Sequence, residues 1–512
     1  MNNTKEDVKV WKNYKIKIAN IRSGGGSFYN LLNKDIKELN TLVLSLFIII
    51  FLFSVGFISY KITNSYALFS DSVEGVKTIG ISVAKNECYV YEANGPVLDS
   101  NMIPVYYDES SSSWKKADSS NRDYSWYDYC EKRWANSVTV SSTNRNKYLS
   151  ASVGTEISMD DILTMEVWIP RYKYKVWNYN SDGTKISSPR QIEITFENDN
   201  ESTGEITCSD SISGTDGKAS ETCKLKSTNA TCTDSLCNNK TYTHPAFTFG
   251  KEELSGFWTS KFELTGLLSS ITSKPNLVSV GNKSVSGYET NIMNMKNNNN
   301  QYGFSTNTDT HMIKNSEWGA VAYLSHSKYG TCSGGSCVEI GINNNSNYMT
   351  GCGATAGSAK SSVCDSYNTS NGMLASTTFN IYGVYDLSGG TAEYTMANIV
   401  GTDGKTMMTN SSGISTYPNA KYYDKYSYSG NNSDAAKIKS KLGDGIKEMF
   451  NDTTNDKLWY GDSAWIAHGS NAAWFTRGSG SGNGSNAGVF TSSCGSGAGE
   501  YAFIATRFII VA

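Results

Sequence analysis

Residues 41–60 read TLVLSLFIIIFLFSVGFISY, a run of 20 residues without a formal charge. At about 1.5 Å per residue a helix of that length spans roughly 30 Å, the thickness of a bilayer's hydrocarbon core. A helix buried in a globular core seldom stays apolar all round for so long. Eight Lys/Arg precede the run (Lys5, Lys9, Lys12, Lys15, Lys17, Arg22, Lys34, Lys37), whereas the next 20 residues carry two, Lys61 and Lys77. The positive-inside rule then predicts a single-pass cell-membrane protein, with 1–40 as a cytoplasmic tail, 41–60 as a transmembrane helix and everything later outside. A cleaved signal peptide is the rival reading. Its apolar region usually spans about 7–15 residues and ends at small residues, and Asn64-Ser65-Tyr66-Ala67 is a poor match. Either way the bulk of the chain is exported.

The cysteines agree. All eleven lie beyond residue 60, as expected for disulfides in an oxidising compartment. Short spacings suggest the pairs Cys232 with Cys237, Cys332 with Cys337, and Cys352 with Cys364. The count is odd, and Cys494 stands farthest from the others, which reads as a buried thiol. There is no C-x-x-C, so zinc-ribbon and thioredoxin chemistry are not indicated. A net charge of −3 in 512 residues gives no reason to expect a nucleic-acid partner.

Strand-like segments dominate the external region, so an α+β fold is expected, strand-rich with two or three helices and long disulfide-pinned loops. Residues 61–155 read as a small membrane-proximal domain or stalk with an aromatic cluster (Tyr124, Trp126, Tyr127, Tyr129, Trp134). Residues 156–512 read as a second domain, interrupted by Cys-containing insertions at about 198–241 and 330–378. Residues 165–174 and 257–263 have strand composition. A helix is expected over 313–323, with Ser316 as N-cap, and an amphipathic helix over 435–450 through Ile438, Leu442, Ile446 and Met449. Gly389-Gly390 marks a turn, and 503–511, FIATRFIIV, reads as a buried strand.

Several segments resemble a known family. Trp258-Thr259-Ser260-Lys261-Phe262-Glu263, the stretch 380–394 (NIYGVYDLSGGTAEY), Arg477-Gly478-Ser479, Asn486-Ala487-Gly488 and the closing Ala505-Thr506-Arg507-Phe508 occur in the order found in formylglycine-generating-enzyme-like (sulfatase-modifying-factor) domains. The resemblance covers roughly 157–512 and implies a C-type-lectin-like fold. In that family the oxidising enzymes carry a copper-binding Cys pair soon after the R-G-G-S turn. Here Ser481, Gly482, Asn483 and Gly484 follow, and Cys494 is the one cysteine beyond them, so the two thiolates such a site needs are missing and an enzyme is not expected. His244, His311, His326 and His468 are scattered, with no H-E-x-x-H or G-x-S-x-G motif.

The same fold serves proteins that bind, among them the variable proteins of diversity-generating retroelements. Residues 479–500, SGSGNGSNAGVFTSSCGSGAGE, have the small polar composition of adaptable binding loops, although a structural loop or a linker shares it. The resemblance makes Trp474, Arg477, Ser479, Ser481, Asn483, Ser485, Asn486, Ser492, Ser493, Glu500 and Tyr501 the candidate ligand contacts, with Trp474 and Tyr501 as aromatic anchors. Calcium is the one cofactor the family suggests, with Asp386 and Glu393 as oxygen donors. The expected function is recognition of a protein or carbohydrate ligand at a bacterial cell surface. A membrane-tethered formylglycine-generating-type enzyme and a structural envelope protein are the alternatives.

Overall fold

The computed structural model describes residues 67–69, 81–83 and 93–512, apart from 121–125, 178–187, 214–217, 298–299, 401–407, 409–411, 428–439, 452–456, 466–471 and 500. The expected membrane segment 41–60, Tyr124, His468 and Glu500 lie outside the described residues. Among the described residues no helix is long and apolar enough to cross a membrane. The chain divides into two units, Met1–Val90 and Tyr91–Ala512. In the first, Ala67–Phe69 pairs antiparallel with Ile81–Val83.

The second unit is strand-rich. β1 (Ile103–Asp108) turns through serines into β2 (Ser113–Lys116), and β3 (Asn136–Val140) pairs with the other edge of β1. After α1 (Ser142–Leu149), β4 (Ile162–Pro170) lies against β3. β5 (Tyr172–Lys175), β6 (Ile194–Phe196), β7 (Ile206–Ser213), β8 (Lys218–Leu225) and β9 (Thr241–Thr243) form a separate sheet in the order β8–β7–β9–β5–β6. β10 (Gly256–Ser260) returns to β4. Next come α2 (Val285–Met293), β11 (Asp309–Met312) and α3 (Asn315–Ser325). β12 (Ala392–Val400), β13 (Asp424–Ser427), β14 (Trp474–Gly478) and β15 (Gly488–Gly495) run in the order β13–β12–β14–β15, and β16 (Ile504–Ala505) also pairs with β12. Finally β17 (Phe508–Val511) enters between β11 and β10, completing a seven-stranded sheet, β11–β17–β10–β4–β3–β1–β2. Its central strands are buried along almost their whole length, including the polar residues Ser137, Thr139, Thr164, Glu166 and Thr259 that interrupt their apolar positions.

The expected boundary at 155/156 falls inside this sheet. β3 and β4 pair across it, so 93–155 is not a separate stalk among the described residues. Trp126, Tyr129 and Trp134 are core side chains. The insertion at 198–241 supplies the β7–β8 hairpin, pinned by Cys208–Cys223 across directly opposed residues. All three expected disulfides are present.

Two helix expectations need correction. α3 starts at Asn315, not at 313, and is capped at Lys314 rather than Ser316. Glu317, at the third helical position, reaches back to the Lys314 N–H at 2.8 Å. The described part of 435–450 is not an α-helix but turns followed by one 3-10 turn, Lys447–Met449. Gly443 and Gly445 take φ of +84° and +69°. Between them Asp444 accepts from the N–H groups of Lys441, Ile446 and Lys447, a side-chain alternative to helical bonding. The terminal strand is likewise shorter than 503–511: it splits into β16 and β17 around Thr506-Arg507.

Candidate functional site

Three of the segments that carried the family resemblance, 258–263, 380–394 and 505–508, meet in a buried polar network. Lys261, just past β10, donates from Nζ to Asn136 Oδ1 (2.8 Å) and to the carbonyls of Ile381 (2.7 Å) and Gly383 (2.8 Å). Glu263 accepts from the Thr391 N–H at 2.9 Å and from the Ser279 hydroxyl. Asp386 accepts from Asn343 Nδ2 at 2.8 Å and the Gly351 N–H at 2.9 Å. Glu393, on β12, pairs with Arg507, whose guanidinium also donates to the carbonyls of Ser260 and Tyr385, both at 3.1 Å. Arg507 therefore ties β10, β12 and the start of β17 together. Burial holds the Lys261 ammonium well below its ordinary pKa. Burial also pushes the Asp386 and Glu393 carboxyls above the usual carboxylate range, against the pull of Asn343 and Arg507 on Asp386 and of Arg507 on Glu393.

Asp386 and Glu393, the candidate calcium donors, are thus engaged by Asn343, Gly351 and Arg507. Among the described residues the one cluster of Cys and carboxylate groups close enough to share an ion is Cys208, Glu221 and Cys223, and its two sulfurs are joined in a disulfide. His311 is buried between Asp309 and Glu317, each at 3.0 Å, which leaves no face for a substrate. His244 and His326 pack among aromatic rings.

The Gly389-Gly390 turn connects this network to a cleft. Both glycines have positive φ, +77° and +67°, and a Cβ on Gly389 would overlap the Asn343 carbonyl. The Gly390 carbonyl accepts from the Ser481 N–H at 2.9 Å, fixing the loop that follows β14. That loop, the adjoining face of β15, residues around 348–360 and the 501–504 segment enclose a cleft of about 650 Å³. Of the expected contacts, Ser479, Ser481, Asn483, Ser493 and Tyr501 line it, joined by Thr476, Tyr348, Lys360 and Phe503.

Strand alternation explains the division. Thr476 and Ser493 are register partners and line the cleft, whereas the neighbouring pair Arg477 and Ser492 is buried. Arg477 is no ligand contact. It donates to Asn315 Oδ1 (2.8 Å) and to the carbonyls of Asp444 (2.8 Å) and Thr491 (3.0 Å). Trp474 is not an anchor either: it is fully buried, and Gly497 packs so closely on its indole that a Cβ would not fit. Ser485 and Asn486 are exposed on the loop outside the cleft lining. Cys494 is a buried thiol of β15.

Two features define the cleft chemically. Ser481 is 1 % exposed, and its hydroxyl has no hydrogen-bond partner. A buried hydroxyl left unpaired costs about 1–3 kcal/mol. The same cleft is lined by Tyr501 and Phe503, 49 % and 46 % exposed, with ring centroids 5.2 Å apart. The apolar run 503–511 places Phe503 in a buried terminal strand on sequence grounds, so it does not stand out there as a contact. The strand begins one residue later, and the spacing Tyr501-x-Phe503 beside a glycine-rich stretch is the signal that marks it.

No protein-family model matches the chain, and no curated protein is significantly similar to it.

Proposed function

We propose that the chain is a membrane-anchored, surface-displayed recognition protein whose cleft between the 479–483 loop and Tyr501/Phe503 binds the ligand. Residues 41–60 serve as the anchor, with 1–40 inside. The scaffold is of the C-type-lectin-like, sulfatase-modifying-factor type, and the cleft loop is a candidate target of retroelement diversification. One observation carries the binding assignment: a concave site of ligand size is lined by small polar residues, among them Ser481 with its unpaired buried hydroxyl, and by two half-exposed rings. Assembly of the motif residues Lys261, Glu263, Asp386, Glu393 and Arg507 into one network supports the scaffold assignment. The disulfides support an oxidising location. Binding is favoured over formylglycine-type oxidation because the single cysteine past Arg477, Cys494, is buried.

Gly480 offers the test. It lines the cleft, a Cβ there meets nothing within 4 Å, and its φ lies outside the left-handed region, so Gly480→Tyr fills the site without straining the backbone. The full chain in lipid nanodiscs is exposed to random-sequence peptides and to oligosaccharides. At least one probe is expected to bind the wild type and to weaken by about tenfold or more in Gly480→Tyr at unchanged melting temperature. Absence of any such probe refutes the cleft as a binding site.

A further inference from the structure

Resting on the binding reading above, we infer that the cleft takes a neutral oligosaccharide. Its charge is the first reason. Among the described lining residues there is no carboxylate, and the one ammonium, Lys360, is exposed at the rim. A strongly anionic or cationic ligand would find no buried partner there.

The polar groups are the second reason. Ser479, Ser493 and Thr476 bring hydroxyls to the lining and Asn483 an amide, which donates to the Ser479 hydroxyl. Hydroxyls and amides both donate and accept, as do the hydroxyls of a sugar. Ser481 adds a buried hydroxyl with an unfilled hydrogen bond at the cleft wall. The third reason is the ring pair. Tyr501 and Phe503 lie 32° from parallel with centroids 5.2 Å apart, half-exposed on the cleft margin. A pyranose ring carries C–H groups on one face and hydroxyls around its edge. It therefore needs an aromatic surface beside two-way hydrogen-bonding groups, and this cleft supplies both. At about 650 Å³ the site falls well inside the range of small-ligand pockets and has room for more than one sugar ring. A peptide strand would need a line of free backbone groups or separate apolar side-chain pockets, whereas three of the apolar lining residues here, Tyr501, Phe503 and Ile504, come from one short segment.

The full chain in nanodiscs is applied to an array of neutral oligomers of glucose, galactose, mannose and N-acetylglucosamine, with sulfated and sialylated counterparts and random peptides alongside. At least one neutral oligomer is expected to bind. Tyr501→Ala and Phe503→Ala should each weaken it about tenfold or more, and Ser481→Ala severalfold, with melting temperatures unchanged. If only peptides or charged glycans bind, and Gly480→Tyr abolishes that binding, the cleft stands and the neutral-sugar assignment is overturned. If nothing bound responds to Gly480→Tyr, the binding reading itself fails and the sugar assignment with it. Neutral-oligomer binding indifferent to both ring substitutions also overturns the inference.

Discussion

Two polar regions lie on either side of the Gly389-Gly390 turn, and they are built on opposite rules. On one side Lys261, Glu263, Asp386, Glu393 and Arg507 are wholly buried, and each has protein partners. On the other, small neutral residues and two half-exposed rings surround a hydroxyl that has none. The difference teaches where to look for function in a chain rich in polar residues. A network whose bonds are all made within the protein holds the fold, whereas a concave surface with a bond left to make is the place for a ligand.

The sharpest way to break this contrast is to remove one charge from the network. Arg507→Met leaves Glu393 buried without its cation. Losing one partner of a buried pair typically costs about 3–5 kcal/mol, and urea denaturation of the variant should show a loss of that order. Adding Glu393→Gln should restore part of it, since the uncompensated charge is then gone. By comparison Tyr501→Ala, at the half-exposed cleft margin, should change stability by no more than about 0.5 kcal/mol. An Arg507→Met protein as stable as the wild type would deny the network its structural role.

The network was more legible in the sequence than the cleft. Strand composition marked 257–263 and the glycine pair marked a turn in 380–394, and the family resemblance brought these pieces together with 505–508, even though their contacts are long-range. Strand composition likewise marked 165–174, and spacing marked three of the disulfides. What stayed hidden depended on partners distant in the chain. Trp474 shares its strand face with Thr476, and only the 495–499 turn folding over it decides that it is buried. Arg477 looked like a loop residue because nothing nearby in sequence announces Asn315 and Asp444. The boundary at 155/156 was drawn on composition, which does not reveal that β3 pairs with β4. In 435–450 apolar spacing outweighed the local message of Gly443-Asp444-Gly445.

Acidity separates the buried interior at large from the cleft next. Glu166 is fully buried in β4. Ser137 donates to one carboxyl oxygen at 3.0 Å, and the other oxygen has no partner. Burial pushes its pKa from 4.5 up to about 8. Glu448, buried beneath Tyr174 and Tyr323, is likewise pushed up by burial, to about 7. A group raised in the folded state keeps its proton more tightly there than in the unfolded chain. Its contribution to stability is therefore full below about pH 4.5 and is lost progressively as pH rises towards 8. For Glu166 the upper limit is on the order of 5 kcal/mol. Melting temperature should fall from pH 5 to pH 8, and Glu166→Gln should flatten that slope, while Ser493→Ala in the cleft should leave it unchanged. A flat profile in the wild type, or a slope untouched by Glu166→Gln, would remove Glu166 as its source.

The smallest effects on stability should coincide with the greatest freedom to vary. Asn483 is exposed, Ser479 is partly so, and Tyr501 and Phe503 stand half in solvent. Substitutions there meet few neighbours, and each should shift stability by only about 0.5 kcal/mol or less. Trp474, Arg477 and Ser492 lie in the same short stretch of gene but are fully buried, so they should hold. Sequencing the 3′ end of the gene in many sibling isolates separates these positions at a resolution no binding assay reaches. If the cleft is diversified, changes should crowd into the codons for 479, 483, 493, 501 and 503 and skip those for 474, 477 and 492, tracking exposure rather than position along the chain. Changes spread evenly across the stretch would contradict the division between wall and scaffold. A uniform 3′ end would remove retroelement diversification and leave a binder of fixed specificity, because the geometry of the cleft does not depend on how its residues came to be chosen.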